Sequence, residues 1–341
     1  MGRTLGRLGI AVGVFAVTFV VVDAVVVPRL VAADRPSAYS RSDYWGAQFS
    51  AEATVAADLR STRQTLVGPV EMSSDFEGRY ITVEDGLRRT VPEPASARRR
   101  VAVFGGSTTF CVEVPDELTW PSQLAHRIVD REIRVINVGL SGASFADRVA
   151  AFEGLGLTRP GDVAVFFVGA NDAVIGSQKN EVVGPLARWP RLRRAVELTL
   201  GWTNAGRLAL KRSQQLSFQI EGTSREAVDR FRGSLDEVER AAEERGVRIL
   251  VVLQPSELVA AESGWAASGQ VVDERFRTAF RDFYAHALRA PDIRGRIVDG
   301  TNAFSRLDES PYLDFVHVQE DGNRAIADFV YAELERRGWL D

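Results

Sequence analysis

Cysteine and histidine are scarce in this chain of 341 residues. Because Cys111 is the single cysteine, an intrachain disulfide is excluded, and so is a structural zinc site built on thiolates. The three histidines, His126, His286 and His317, show no metal-ligand spacing such as HExxH. The net charge of -4 gives no basis for expecting a nucleic-acid partner.

The N-terminus, in contrast, carries a long apolar run from Leu8 to Val27. As a helix it would cross a hydrocarbon core of about 30 Å, and the preceding Arg3 and Arg7 favour a cytoplasmic N-terminus. We therefore interpret residues 1–33 as a transmembrane anchor or a signal segment. The anchor is favoured because cleavable signals usually have an apolar region of about 7–15 residues.

Two other interpretations of this segment stay open. The small residues Val31-Ala32-Ala33 are compatible with a cleavage site, and a buried helix of a soluble domain is the third interpretation. An anchor predicts a single-pass membrane protein whose remaining domain is extracytoplasmic. A cleaved signal predicts a secreted protein.

Residues 34–98 are polar and irregular, and we interpret them as a stalk and lead-in to the main domain. Within them, residues 78–91 predict a hairpin that turns at Asp85-Gly86. The main domain is predicted at 99–341, with a helical insertion at 174–220. That insertion is either a lid beside a functional site or a packing hairpin that makes no contact with it.

Downstream of this lead-in, short apolar runs alternate with amphipathic segments. Strands are predicted at 101–104, 133–138, 163–168, 247–253 and 297–298, and helices at 118–131, 144–156, 223–245, 272–290 and 319–338. This alternation is typical of a parallel sheet that helices cover on both faces. Since active sites of such sheets lie at the carboxyl ends of the strands, the residues after each strand are the first candidates for chemistry.

The first strand leads into Gly105-Gly106-Ser107, where the chain passes from strand to helix. Small residues allow a tight turn there, and a helix N-terminus stabilises negative charge. Ser107 is thus placed to present its hydroxyl at the sheet edge. A phosphate-binding loop is the rival interpretation, but the segment GGSTTF has neither the GxxxxGK[ST] nor the GxGxxG spacing.

The next two strands end near Gly142 and Asn171. A backbone N–H near Gly142 is placed to face the same cavity as Ser107. The Asn171 amide is a neutral donor, which suits the stabilisation of an oxyanion. Taken alone, an asparagine at such a position is commonly a turn former.

A DxxH pair, Asp314 and His317, stands just before the last predicted helix. The short spacing lets one loop bring a carboxylate to an imidazole. A neutral imidazole can take the proton of a serine, and a carboxylate fixes its tautomer and stabilises the imidazolium. The pair alone is weak evidence of catalysis, but its conjunction with Ser107, Gly142 and Asn171 is specific.

These four blocks, in this order, resemble those of the SGNH (GDSL-like) hydrolase superfamily. GGSTTF matches the nucleophile block, VGLSGAS the glycine block, GAND the GxND block and DFVH the DxxH block. The first block departs from the common GDS form, because Gly106 occupies the acidic position. A GGST block that follows a single anchor resembles bacterial membrane-anchored members.

The resemblance implies a flavodoxin-like three-layer α/β/α sandwich with a central parallel sheet, so that 99–341 would be a catalytic domain. It implies a serine esterase or deacylase that needs no cofactor and no metal. Ser107 would be the nucleophile, His317 the base and Asp314 the residue that orients it. Ser107, Gly142 and Asn171 would form the oxyanion hole.

The expected substrate is a small-molecule or glycan ester. Two alternatives remain open at this point. The chain could be an O-acetyltransferase or deacetylase of envelope glycans, or a non-catalytic carbohydrate-binding relative that retains the fold.

Overall fold

The computed structural model describes residues 64–67, 70–176, 224–260 and 274–341. The predicted membrane segment at 8–27 and nearly all of the predicted insertion at 174–220 lie outside the described residues. Among the residues that are described, no helix is long and apolar enough to span a bilayer. All of them belong to one compact unit, formed by Trp45–Ser177 and Gly222–Asp341.

Strands and helices alternate along the described chain. The strands are β1 Gln64–Val67, β2 Val70–Ser73, β3 Phe76–Glu77, β4 Thr82–Glu84, β5 Leu87–Arg88, β6 Arg99–Gly105, β7 Ile133–Gly139, β8 Val163–Val168, β9 Arg248–Leu253 and β10 Val298–Asp299. The helices are α1 Ser107–Phe110, α2 Trp120–Ile128, α3 Phe145–Gly154, α4 Ala170–Gly176, α5 Ser224–Arg245, α6 Glu274–Arg289, α7 Pro291–Arg294 and α8 Glu320–Arg336.

The central sheet is mostly parallel. Its parallel strands are ordered β7-β6-β8-β9-β10. Counted along the chain from β6, this is the order 2-1-3-4-5, which is that of flavodoxin-like doubly wound sheets. The carboxyl ends of β6, β7 and β8 therefore lie side by side, and the segments that follow these three strands meet at one edge of the sheet.

The sheet also extends into the segment that the sequence predicts as a stalk and lead-in. Strands β5, β4 and β3 continue it beyond β7 in antiparallel pairing. The turn between β4 and β5 lies at Asp85-Gly86, and both residues have positive φ, 53° and 75°, as a type I′ hairpin requires. Part of 34–98 thus belongs to the same sheet as the domain predicted to start at residue 99.

Helices cover both faces of the sheet, as the side-chain alternation along β6 shows. Val101 and Val103 point into a core shared with α2 and α8, while Ala102 and Phe104 point into a core shared with α3, α5 and α6. In the second core, the Phe104 ring stacks on Phe166 with ring centroids 5.0 Å apart. Because both faces of the strands are buried, they read in the sequence as continuous apolar runs.

Local capping explains where the helices around the site begin. The Ser144 side chain accepts a hydrogen bond from the N–H of Asp147, whose carboxylate accepts one from the N–H of Ser144, and α3 starts there. The helix predicted at 118–131 is shorter, because the Thr119 side chain accepts from the N–H of Ser122 and caps α2. Single 3₁₀ turns flank α2 on both sides.

Candidate active site

The turn between β6 and α1 depends on close backbone packing at two glycines. A Cβ on Gly105 would lie 2.7 Å from the carbonyl oxygen of Phe167, and one on Gly139 would lie 2.2 Å from the backbone nitrogen of Phe110. No side chain fits at either position: glycine at 105 lets the end of β6 lie close to β8, and glycine at 139 lets α1 lie directly against the end of β7. Ser107 is the first residue of α1, and its N–H therefore has no partner within the helix.

The structure brings Ser107, His317 and Asp314 into one chain of hydrogen bonds. The Oγ of Ser107 lies 2.8 Å from Nε2 of His317, and Nδ1 of His317 lies 2.7 Å from Oδ2 of Asp314. A carboxylate only accepts, so the proton of the neutral imidazole sits on Nδ1, and Nε2 is left to accept from the serine hydroxyl. All three residues are buried, with exposed fractions of 6%, 4% and 5%.

The loop that carries Asp314 and His317 is closed on itself. The second carboxylate oxygen of Asp314 accepts from the backbone N–H groups of Val316 at 2.8 Å and of His317 at 2.7 Å. The N–H of Leu313 donates to the carbonyl of His317 at 2.8 Å. These backbone bonds hold the carboxylate in position relative to the imidazole ring, in addition to the bond between the two side chains.

The charges of this pair stabilise each other. Burial opposes the charged form of His317, but the charge of Asp314 and its hydrogen bond outweigh burial, so the pKa of His317 lies above its ordinary value. Burial likewise opposes ionisation of Asp314, but His317 and the backbone N–H donors hold its pKa below the ordinary value. The arrangement favours an ionised carboxylate beside a ring that can accept a proton.

Asn171 lies at the start of α4, next to the loop that contains Gly142. One N–H of its amide donates to the carbonyl of Ala143 at 2.8 Å. An amide nitrogen carries two hydrogens, so a second N–H remains for another acceptor. Gly142 itself has a positive φ of 80°, is exposed, and would have nothing within 4 Å of an added Cβ.

The departure from the common GDS block has a steric counterpart in the structure. A Cβ on Gly106 would lie only 2.4 Å from the amide nitrogen of Asn171 and 3.5 Å from the carbonyl oxygen of Ala143. Glycine at this position therefore lets the Asn171 amide approach the backbone beside Ser107. The same contact places two of the three predicted oxyanion donors close together: the side-chain amide of Asn171 lies beside the backbone that leads into Ser107.

Asp172 links the segments that follow β7 and β8 by hydrogen bonds. Its carboxylate accepts from the N–H of Phe145 at 2.9 Å and from the N–H of Gly169 at 3.0 Å. Burial raises the pKa of Asp172 to about 6, against the effect of these two donors. Because Phe145 starts α3 and Gly169 precedes α4, the carboxyl group holds the elements on either side of Asn171 in place.

Arg88 is a site-supporting residue that the sequence reasoning missed. Its guanidinium is fully buried and bonds to Asp116 at 2.6 Å. It also donates to the carbonyls of Phe110 and Cys111 at 3.0 and 3.1 Å and to that of Val114 at 2.9 Å. These carbonyls belong to the end of α1 and to the turn after it, so an arginine from the predicted lead-in holds the turn beyond the serine.

No pattern in the sequence indicates that Arg88 supports the site, because its partners lie 22 or more residues away along the chain. The remaining histidines, His126 and His286, lie on α2 and α6 and are exposed. Within the described ranges, no group of three or more His, Cys, Asp or Glu side chains is arranged to hold a metal ion.

Comparison with known proteins gives similarity at the level of structure only. No protein-family model matches the chain, and no curated protein matches it. Solved structures that it resembles include lipolytic proteins of the G-D-S-L family from Veillonella parvula (15% identity, TM-score 0.41, covering 70% of this chain and 99% of that one) and from Desulfitobacterium hafniense (14%, 0.40, 69% and 99%).

A third neighbour is an alpha/beta hydrolase enzyme from the metagenome of Lake Arreo, with 17% identity, a TM-score of 0.40, and coverage of 72% of this chain and 98% of that one. The structural neighbours thus include the GDSL family that the sequence blocks resemble. At identities and TM-scores this low, the similarity assigns no activity, and the function of this chain has to be inferred from its own geometry.

Proposed function

We propose that this protein is a serine esterase that hydrolyses a carboxylic ester through an acyl-serine intermediate. The observation that carries the proposal is the hydrogen-bond chain from Ser107 Oγ through His317 to Asp314, with distances of 2.8 and 2.7 Å. A buried hydroxyl, imidazole and carboxylate in this sequence form the arrangement that activates a serine for acyl transfer.

In the proposed reaction, the hydroxyl proton of Ser107 passes to Nε2 of His317 as Oγ bonds to the ester carbonyl carbon. The resulting tetrahedral intermediate collapses, and the imidazolium gives the proton to the departing alcohol. A water molecule then repeats the sequence on the acyl-serine: His317 takes its proton, the carboxylic acid leaves, and the proton returns to Ser107. Asp314 stays ionised and stabilises the imidazolium.

We assign the oxyanion hole to the N–H groups of Ser107 and Gly142 and to the side-chain amide of Asn171. Support comes from the free position of the Ser107 N–H at the start of α1 and from the second amide hydrogen of Asn171. The contact between Gly106 and Asn171 keeps the amide close to the serine backbone. One such donor contributes about 3 kcal/mol to transition-state stabilisation.

The proposed substrate class is a small-molecule or glycan ester, and we propose that it is met outside the cytoplasm. The support for this location is the apolar run of 8–27, which lies outside the described residues and whose role as an anchor stays a prediction.

The test is the hydrolysis of a simple aryl acetate by the purified chain and by its Ser107→Ala variant. We expect the substitution to lower kcat by about 10⁴-fold or more, since the nucleophile is lost, with an unchanged thermal unfolding midpoint. Ser96→Ala is the matched control. Ser96 is exposed and bonds to Glu132, just before β7, at the opposite end of the strands.

The control variant is expected to keep full activity. Hydrolysis that survives in pure Ser107→Ala protein would show that another residue is the nucleophile and would overturn the proposal.

A further inference from the structure

Glu113 is a buried carboxyl group that the proposed reaction leaves unused. Its exposed fraction is 1%, and it lies in the turn that follows α1. One carboxylate oxygen accepts a long hydrogen bond of 3.4 Å from the amide of Asn323. The other oxygen has no hydrogen-bond partner among the described residues. Burying a carboxyl group with so few hydrogen bonds costs free energy of folding.

Asn323 connects Glu113 to the loop that carries the base. It is completely buried, and its amide nitrogen also lies within 3.2 Å of the carbonyl oxygens of Val318 and Gln319. These two residues directly follow His317. The side-chain oxygen of Asn323 accepts from the backbone N–H of Trp120 at 3.1 Å.

Trp120 completes the connection to the nucleophile. Its indole N–H donates to the carbonyl of Thr108 at 3.1 Å, and Thr108 is the neighbour of Ser107. Glu113, Asn323 and Trp120 therefore form one buried polar group, which we call the Glu113 cluster. The cluster joins the backbone beside the serine to the backbone beside the histidine.

Three titratable groups interact with the Glu113 carboxyl. Burial raises the pKa of Glu113 to about 7, the charge of His317 opposes this increase, and the charge of Asp314 adds to it. On its own turn, burial and then the charge of Glu113 raise the pKa of the Cys111 thiol. For His317, the charge of Glu113 favours the protonated ring, in the same direction as Asp314.

We propose that Glu113 is a positioning residue, a second buried carboxyl that stabilises the imidazolium form of His317 through space. Asp314 stabilises the same imidazolium through a direct hydrogen bond. The catalytic consequence rests on the proposed function, whereas the effect on the ring is a property of the fold. Glu113 forms no bond to the substrate, and the transferred proton moves between Ser107 and His317 as before.

The experiment is a pH titration of the full chain labelled with ¹⁵N in histidine. Only three histidines are present, and His317→Asn identifies the resonances of His317. The titration is repeated for Glu113→Gln and Glu113→Leu, the latter because it removes the charge without leaving a buried amide unpaired. Glu117→Gln is the matched control, since it makes the same change at an exposed position of the 3₁₀ turn that follows.

We expect both Glu113 variants to lower the titration midpoint of His317 by about 0.5 to 1 pH unit, because an opposite charge is removed. The acid limb of kcat/KM should move by the same amount, and the Glu117 variant should move neither. An unchanged midpoint in a folded Glu113 variant would overturn the inference.

The unmodified protein provides a test that needs no variant. Because Glu113 and His317 interact, the ring resonances of His317 should show two titration steps, which belong to the coupled pair of groups. A single step would contradict the inference. A shifted midpoint without ester hydrolysis would support the role of Glu113 and defeat the proposed function, whereas hydrolysis with an unshifted midpoint would do the reverse.

Discussion

Replacing Gly106 by alanine tests the oxyanion hole without substituting any of its donors. The added Cβ would lie 2.4 Å from the amide nitrogen of Asn171, whereas ordinary contact begins at 3.4 Å. The amide must therefore retreat by about 1 Å, and a misplacement of that size in an active site can cost about 100-fold in rate. The loss of one oxyanion donor has a similar cost.

We expect Gly106→Ala to lower kcat/KM for an aryl acetate by about 100-fold, which corresponds to about 2.7 kcal/mol. Gly295→Ala is the matched control, because Gly295 is exposed and a Cβ there would have nothing within 4 Å. The thermal unfolding midpoint of each variant is measured to separate a catalytic defect from a loss of folded protein.

A double-mutant cycle with Asn171→Ala decides whether the defect acts through the amide. If it does, Gly106→Ala should have little further effect once the amide is gone. Activity of Gly106→Ala within about threefold of the unmodified protein, far from the 100-fold estimate, would refute the steric reasoning. Additive effects of the two substitutions would show that the Cβ acts elsewhere.

Two further predictions concern the base and the turn beyond the serine. Because the pKa of His317 lies above its ordinary value and the reaction needs the neutral ring, kcat/KM should rise with pH and reach half its plateau above about pH 6.5; a half-maximum well below that pH would contradict the pairing with Asp314. Arg88→Met should lower the free energy of unfolding by about 3–5 kcal/mol, because it leaves the buried Asp116 carboxylate without its positively charged partner. Denaturant unfolding measures this loss, and an unchanged midpoint would refute the reasoning.

Much of the parallel sheet could be predicted from the sequence, because each central strand is a short apolar run between helical segments. The strand predicted at 163–168 coincides with β8, and the helix predicted at 223–245 begins one residue before α5. The antiparallel strands β3 to β5 were not predicted as part of the sheet. They are two or three residues long, which is too short to show a hydrophobic period.

For the candidate site, sequence spacing could identify residue types but not distances. Ser107 follows a strand, and Asp314 and His317 precede a helix, so each was recognisable by its position. That the ring and the hydroxyl lie 2.8 Å apart depends on contacts between segments 210 residues apart. Glu113 carried only a weak signal, a carboxylate between two valines after the nucleophile block, and its partner Asn323 lies equally far away.

The most direct test of the account is to label the purified chain with a fluorophosphonate and to map the modified residue by peptide mass spectrometry. The reagent reacts with a serine whose proton a neighbouring base accepts, so we expect a single adduct on Ser107, with labelling lost in His317→Asn. An adduct on a different residue, or no adduct on folded protein at a pH where His317 is neutral, would contradict the assignment of Ser107 as the nucleophile.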